Sequence, residues 1–209
     1  MRERPILFSG PMVRAILAGN KTQTRRVAKP VRHPDLGNVY TPGALVLERE
    51  PQHVIDRACP YGQPGDRLWV RETWNRFEPW AGFYYAADYE AFGIGPDDDP
   101  DHIPDHEVRW KPSIHMPRAA CRLVLEITGV RVERLQDISE ADARAEGCPF
   151  TWDGKQYEPP PPEVDSWQGY GRASFSLLWS QINGPDSWQA NPWVWVVEFR
   201  RIEDGGAHG

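Results

Sequence analysis

Cysteine is scarce in this chain of 209 residues. The three present, Cys59, Cys121 and Cys148, are odd in number and lack CxxC spacing, which fits reduced thiols better than a disulfide framework or a closed zinc site. Long apolar runs are missing too. No stretch approaches the roughly 20 apolar residues that span a bilayer, and Pro5, Pro11 and Arg14 interrupt the N-terminal segment before a signal-peptide core can form. The expectation is a cytoplasmic protein with no membrane partner. No glycine-rich loop follows the first apolar segment, which argues against a doubly wound nucleotide-binding fold, and no GxSxG elbow supports a serine hydrolase. Metal ligands are equally thin: His102 and His106 stand four apart, but Pro104 between them spoils the helix that would align them. Neither a metal nor an organic cofactor is expected.

What is present describes an ordinary folded domain. Apolar residues make up 40% and charged residues 26% of the chain, close to the globular average, so a single domain over residues 1–209 is expected. The 18 glycines and 21 prolines point to long loops within it. Ten tryptophans are explained by packing, or more pointedly by base stacking. The net charge of −6 is unevenly spread. Residues 1–32 carry eight Lys or Arg against the single acid Glu3, a net +7, and the remaining chain is therefore −13. A basic end of this kind can mark an anion or nucleic-acid site.

The pattern of residues outlines the elements. PILFS (5–9) suits a short buried strand; Pro11 fits a first helical turn, Met12, Ala15 and Ile16 follow at helical spacing, and Gly19 suits a C-cap. A polar loop, NKTQTRR, comes next. Further strands are expected at ALVLE (44–48), at RLWVRETW (67–74), where Leu68, Val70 and Glu72 alternate with Trp69, Arg71 and Thr73, and at FYYAAD (83–88). CRLVLEITGVRVERL (121–135) is the longest strand-like segment, with Gly129 marking a bend or bulge. Ser139 caps a helix that ends at Gly147, SFSLLWSQI (174–182) forms an amphipathic helix, and WVWVVEFRRI (193–202) closes the chain as a strand. Residues 88–107, with eight acids and no Lys or Arg, read as a solvated insertion, and EPPPPEVD (158–165) as a polyproline-like loop. Short strands, short helices and a long distance between the first and last strands suggest an α+β fold built on a small mixed β-barrel.

The sharpest chemical cluster is Lys21-Thr22-Gln23-Thr24-Arg25-Arg26. In an extended stretch Thr22, Thr24 and Arg26 share a face, and Lys21 can swing onto it. A lysine that is desolvated or set among other cations loses its proton more readily and can act as a general base for a neighbouring hydroxyl. Arg25 and Arg26 offer forked donors for a phosphate or a carbonyl oxygen. Catalysis, anion binding and a merely solvated basic loop are all compatible with the pattern. In the helix SEADARAEG, Asp142 and Glu146 are four apart on one side, so either can orient a lysine from elsewhere, or the acids simply form a solvated face.

Four blocks, RPILFSGPMVRAILAGNKTQTRR, CPYGQPGDRLWVRETW, ISEADARAEG and NPWVWVVEF, closely resemble the ASCH-domain proteins encoded in many bacteriophages and prophages, and occur in that family's order. The likeness covers nearly the whole chain apart from insertions near 88–120 and 149–171. It implies a PUA-like β-barrel with short flanking helices and long loop insertions, a fold associated with RNA and modified nucleosides. The wider superfamily includes a bacterial amidohydrolase that deacetylates N4-acetylcytidine with a Lys, a Thr and a Glu. Its Lys-Thr-x-Thr-x-Arg pattern is matched at Lys21, Thr22, Thr24 and Arg26, which by that likeness makes Lys21 the base and Thr24 the nucleophile, with Glu146 the best match for the glutamate. That enzyme has an apolar residue where Arg25 stands here. Thr22, Arg25 and Arg26 would then contact substrate, with Trp69 or Trp74 stacking on the base. The alternatives are a non-catalytic module that binds RNA or modified nucleic acid, or a ribonuclease. The expected partner is a modified nucleoside or RNA in a bacterial host cell, with no obligate protein partner.

Overall fold

Ile6 is the one fully buried residue of strand β1 (Glu3–Leu7), which opens a computed structural model describing residues 1–77, 82–88, 109–148, 151–152, 155–156 and 170–202. Helix α1 (Gly10–Leu17) follows with Pro11 in its first turn; it buries Val13 and Ile16 and stops at Ala18, after which Gly19 takes φ +77°. Strand β2 (Gln23–Val27) comes next, then the hairpin of β3 (Val31–Arg32) and β4 (Val39–Tyr40). Helices α2 (Ala44–Leu47) and α3 (Gln52–Ala58) lead to β5 (Arg67–Arg71) and to the pair β6 (Trp74–Phe77) and β7 (Gly82–Tyr85). The long β8 (Val124–Arg134) is followed by α4 (Glu140–Ala145), the two-residue strands β9 (Thr151–Trp152) and β10 (Lys155–Gln156), α5 (Tyr170–Asn183) and β11 (Trp193–Ile202).

Five strands form the main sheet in the order β1-β5-β8-β11-β2. Only β1 and β5 run parallel. The architecture is therefore α+β. Among the described residues no ladder joins the edge strands β1 and β2. They approach through side chains: Arg26 of β2 donates to Leu7 O at the end of β1 (2.6 Å), and Phe8, just beyond β1, packs against Phe199 of β11 with ring centroids 6.1 Å apart. The main apolar core contains Leu68, Val70, Leu125, Ile127 and Val197, and a second cluster around Phe175, Trp179 and Val196 packs α5 and α4 against β11. No described helix is long and apolar enough to cross a membrane.

Several elements differ from expectation. The polar loop at 20–26 contains strand β2, paired from Gln23↔Glu198 to Val27↔Val194 with β11. Its side chains bury charge instead of hydrocarbon, so hydropathy does not reveal it. Residues 44–47 are helical, not extended, and Glu48 caps the helix. A short apolar run is compatible with either state; here only Leu45 is fully buried while Leu47 is 72% exposed. The strand expected over 67–74 breaks at Glu72 and Thr73, although Leu68, Val70 and Glu72 do share the buried face. The strand expected over 83–88 ends at Tyr85, and Ala86–Asp88 are helical. Buried Glu72 receives a two-pronged contact from Arg122 (2.9 and 3.0 Å), whose other arm holds Asp88 (2.7 Å), so this break is pinned by charge.

Other expectations match. The register between β8 and β11 skips Thr128 beside Gly129, where a Cβ would lie 2.8 Å from Glu198 Oε2. Ser139 Oγ caps α4 by accepting from Asp142 N (3.1 Å), and all three cysteines are free thiols. Residues 109–120 pack against β6, burying Met116 and Ala120 beside Trp74. His102, His106, most of the acidic run and the EPPPPEVD segment lie outside the described residues.

Two glycines with left-handed backbone flank the region of interest and separate strain from crowding. Gly19 (φ +77°) has open space where a Cβ would go, whereas a Cβ on Gly147 (φ +71°) would lie 2.7 Å from Lys21 Cβ and 2.9 Å from Ala15 Cβ. Gly19→Ala should cost about 1–2 kcal/mol for the backbone alone. Thermal unfolding should show a clearly larger loss for Gly147→Ala; equal losses would mean that the contact with Lys21 is not tight.

Candidate functional site

The turn after α1 sets Lys21 in place through the backbone. Asn20 N and Lys21 N both donate to Ala15 O (2.8 and 3.0 Å), Lys21 bridges antiparallel to Glu146, and Thr22 N donates to Ala145 O (2.8 Å). The entry to β2 is thus tied to the end of α4 before any side chain acts. Lys21 is only 2% exposed. Its ammonium donates to Gln23 O (2.8 Å), Glu146 O (2.7 Å) and Glu146 Oε2 (2.9 Å), acceptors for all three N–H bonds.

The other oxygen of Glu146 accepts from Arg25 NH1 (3.0 Å), which places this carboxylate between two buried cations. Arg25 also donates through Nε and NH2 to Glu133 Oε1 (3.1 and 2.6 Å), and its NH2 lies 3.3 Å from Asp142 Oδ2. Arg131 extends the network to Glu133 (2.9 Å), Asp142 (3.1 Å) and Glu198. Gln23 Nε2 completes it, donating to Asp142 O (2.7 Å) and Oδ1 (3.1 Å). Burial tends to raise the Asp142 carboxyl, but hydrogen bonds with Gln23 and Ser139 and the charges of Arg131 and Arg25 hold it below the usual carboxylate range. Burial, with Glu146 adding to it, pushes the Cys148 thiol up to about 12, so this cysteine is not poised as a nucleophile. Burial pulls the Arg26 guanidinium below its ordinary value, against the opposing influence of Tyr61 and Glu146.

Thr24, Arg25, Arg26 and Glu146 line one cavity of about 80 Å³, with Phe175 and Trp179 of α5 among its walls. Thr24 is 3% exposed and belongs to β2 beside the ion network. Thr22, expected on the same face, is exposed and serves through its backbone. Trp69 is half-buried on β5 under the guanidinium groups of Arg71 and Arg118 (5.3 and 5.9 Å). Trp74 is buried with Met116 and Ala120, below the Lys111 ammonium (4.9 Å). Neither tryptophan lines the cavity. The aromatic walls come from α5, which sequence reasoning treated only as an amphipathic helix. Glu133, Arg131 and Gln23 were also missed. Arg131 and Glu133 share strand parity, a usable signal, but nothing in the chain says that their face of β8 meets β2.

A second, more open cleft of about 310 Å³ is lined by Arg2, Arg4, Arg57 and Asp66. Its polar groups serve local structure: Asp66 accepts from Arg2 N (2.7 Å) and Gln63 N (3.3 Å), and Arg4 donates to Pro60 O (2.6 Å). Among the described residues no group of three or more His, Cys, Asp or Glu is arranged to hold a metal ion.

No protein-family model matches this chain. No curated protein matches it either. Solved structures that align with it at low similarity include the following two. One is a protein from Enterococcus faecalis V583 described under DUF984, 11% identical with a TM-score of 0.39, covering 100% of this chain and 86% of that one. The other is the ASCH domain from Lactobacillus crispatus JV V101, 13% identical with a TM-score of 0.34, covering 96% of this chain and 79% of that one. At these scores neither match carries an argument, and the site stands on its own geometry.

Breaking a buried ion pair by removing one partner costs about 3–5 kcal/mol, against about 1 kcal/mol or less for an exposed pair. Arg25→Met should therefore lower Tm by on the order of 10 °C for a chain of this size. Arg200→Met, which removes the exposed contact with Glu126 (2.9 Å), should change Tm by no more than a few degrees. Because its folded pKa lies below the unfolded value, Asp142 adds stability that is present above the ordinary carboxylate range and lost as pH falls through the lowered one. Asp142→Asn should thus be less stable than wild type at neutral pH and lose less on acidification toward pH ~2. Parallel pH–stability curves would contradict this.

Proposed function

We propose that the protein is an amidohydrolase that removes the acyl group from N4-acetylcytidine or a related acylated pyrimidine nucleoside, as a member of the PUA-like ASCH proteins that its sequence blocks resemble. The observation that carries this is the buried Lys21–Glu146 contact (2.9 Å), whose carboxylate reaches the same small cavity as Thr24. A base, its carboxylate partner and a hydroxyl nucleophile are the minimum set for amide cleavage without an external activator.

In this scheme a proton passes from Lys21 Nζ to Glu146 Oε2 along their hydrogen bond. The neutral amine takes the proton of Thr24 as Oγ1 attacks the acyl carbon, and the carbonyl electrons move onto oxygen. Arg26, or a backbone N–H, stabilises that oxyanion, an effect typically worth about 3–4 kcal/mol per donor. Collapse breaks the C–N bond, and the departing exocyclic nitrogen takes its proton from the Lys21 ammonium. Water, deprotonated by the same amine, then cleaves the threonyl ester and restores the hydroxyl. The scheme calls on no metal or organic cofactor.

The rival reading, an RNA-binding module or a ribonuclease, requires cations free to meet phosphate. Arg25 has all three of its nitrogens engaged by carboxylates, and Arg26 gives one arm to Leu7 O. That engagement favours a nucleoside over a polymer.

Incubation with N4-acetylcytidine, with release of cytidine followed by chromatography, tests the proposal. Wild type should turn over, and Thr24→Ala, Lys21→Met and Glu146→Gln should each reduce kcat/KM by at least about 100-fold while remaining folded. No product from wild type across a panel of acylated pyrimidine nucleosides would overturn it.

A further inference from the structure

Arg25 borders the cavity, yet its side chain is 0% exposed. The family resemblance would have this residue contact substrate; burial closes that route. Its guanidinium is instead held from three sides. Nε and NH2 both donate to Glu133 Oε1 on β8 (3.1 and 2.6 Å), NH2 lies 3.3 Å from Asp142 Oδ2 on α4, and the Phe175 ring of α5 has its centroid 5.8 Å from the guanidinium carbon. A guanidinium is planar and rigid, so fixing Nε and NH2 also fixes where NH1 points. It points at Glu146 Oε1 (3.0 Å). Glu133 is steadied in turn, its Oε2 accepting from Arg131 Nε (2.9 Å).

The Glu146 carboxylate needs this hold more than Lys21 does. Two of the three acceptors around the Lys21 ammonium are the main-chain carbonyls of Gln23 and Glu146, which stay in place whichever way the carboxylate turns. Among the described residues the carboxylate has two partners, Lys21 at Oε2 and Arg25 at Oε1. Without Arg25 a single contact remains, and the terminal torsion of a glutamate is soft. A displacement of about 1 Å in a reacting group can cost on the order of 100-fold in rate.

We propose that Arg25 is a positioning residue: it acts through Glu146, fixing the orientation of the carboxylate that faces Lys21, and does not touch substrate. The hold on the carboxylate stands on the geometry alone, whereas the kinetic claim rests on the amidohydrolase reading above.

The test has a spectroscopic arm and a kinetic arm. In the first, side-chain N–H resonances of the arginines are recorded on ¹⁵N-labelled protein. Those of Arg25 are identified by their loss in Arg25→Lys, or by through-space contacts to Phe175 if that variant does not fold. A guanidinium held by carboxylates on both sides should give separate, slowly exchanging NH1 and NH2 signals. In Glu146→Gln the NH1 signals should shift while Nε, held by Glu133, stays in place. Averaged NH1 and NH2 signals in wild type, or NH1 signals unmoved in Glu146→Gln, would overturn the proposal.

In the kinetic arm, with N4-acetylcytidine as substrate, Arg25→Met should lower kcat by on the order of 100-fold and leave KM within about 3-fold of wild type. Arg25→Lys should not restore kcat, because one ammonium cannot reproduce the fork that spans Glu133 and Glu146. Where these variants do not fold, Glu133→Gln serves: glutamine has one acceptor oxygen for the two arginines that Glu133 holds, and kcat should fall by on the order of 10-fold at constant KM. In a Glu146→Gln background, Arg25→Met should add less than about 3-fold, since the group it acts through is already gone. A rise in KM at constant kcat would make Arg25 a substrate contact, and a full further loss in the double variant would make it independent of Glu146. Either sinks the inference and leaves the amidohydrolase standing. Separate, Glu146-dependent NH1 signals with no turnover of any acylated nucleoside would do the reverse.

Discussion

The carboxylate of Glu146 lies between the Lys21 ammonium (2.9 Å) and the Arg25 guanidinium (3.0 Å), and the geometry around it follows from the cost of burying three charges together. Each ion loses several kcal/mol of hydration on burial, which is recovered only if every lone pair and proton finds a partner at good distance. Lys21 therefore takes three acceptors, and Arg25 takes Glu133 and Asp142 in addition. These demands fix the neighbours. Strand β2 must run beside β11 so that Arg25 reaches β8, α4 must end where Glu146 faces Lys21, and Gly147 must lack a Cβ so that the two backbones can approach.

The same network changes the meaning of the charge distribution. The first 32 residues carry a net +7, which in isolation suggests a surface for phosphate. Two of those cations, Lys21 and Arg25, are instead at most 4% exposed and spent on internal carboxylates. Electrostatics here acts inward. It leaves Glu146 and Thr24 at the wall of one small cavity.

Legibility in the sequence divided along physical lines. Elements written in hydrocarbon were visible: the alternation in 67–71, the long strand ending at Arg134, the Ser139 cap and the closing strand at 193–202 all correspond to structure. Strand β2 was not, because its buried residues are Gln23, Thr24 and Arg25, types that hydropathy assigns to solvent. Local spacing singled out the Lys21–Arg26 cluster, and the family resemblance chose Glu146 over Asp142; the fold joins Lys21, Glu146 and Arg25 by hydrogen bonds and sets Thr24 at a cavity shared with Arg25 and Glu146. The walls contributed by Phe175 and Trp179 were out of reach, since they depend on α5 docking against β11, a contact between distant segments that no periodicity encodes.

The most direct measurement of the central claim is a double-mutant cycle on stability with Lys21→Met, Glu146→Gln and the pair together. If the carboxylate holds the site by its bond to Lys21, the two losses should be strongly non-additive, with a coupling of about 2–3 kcal/mol. Losses that add within about 0.5 kcal/mol would show that Lys21 and Glu146 are buried side by side without depending on each other, and would contradict the account.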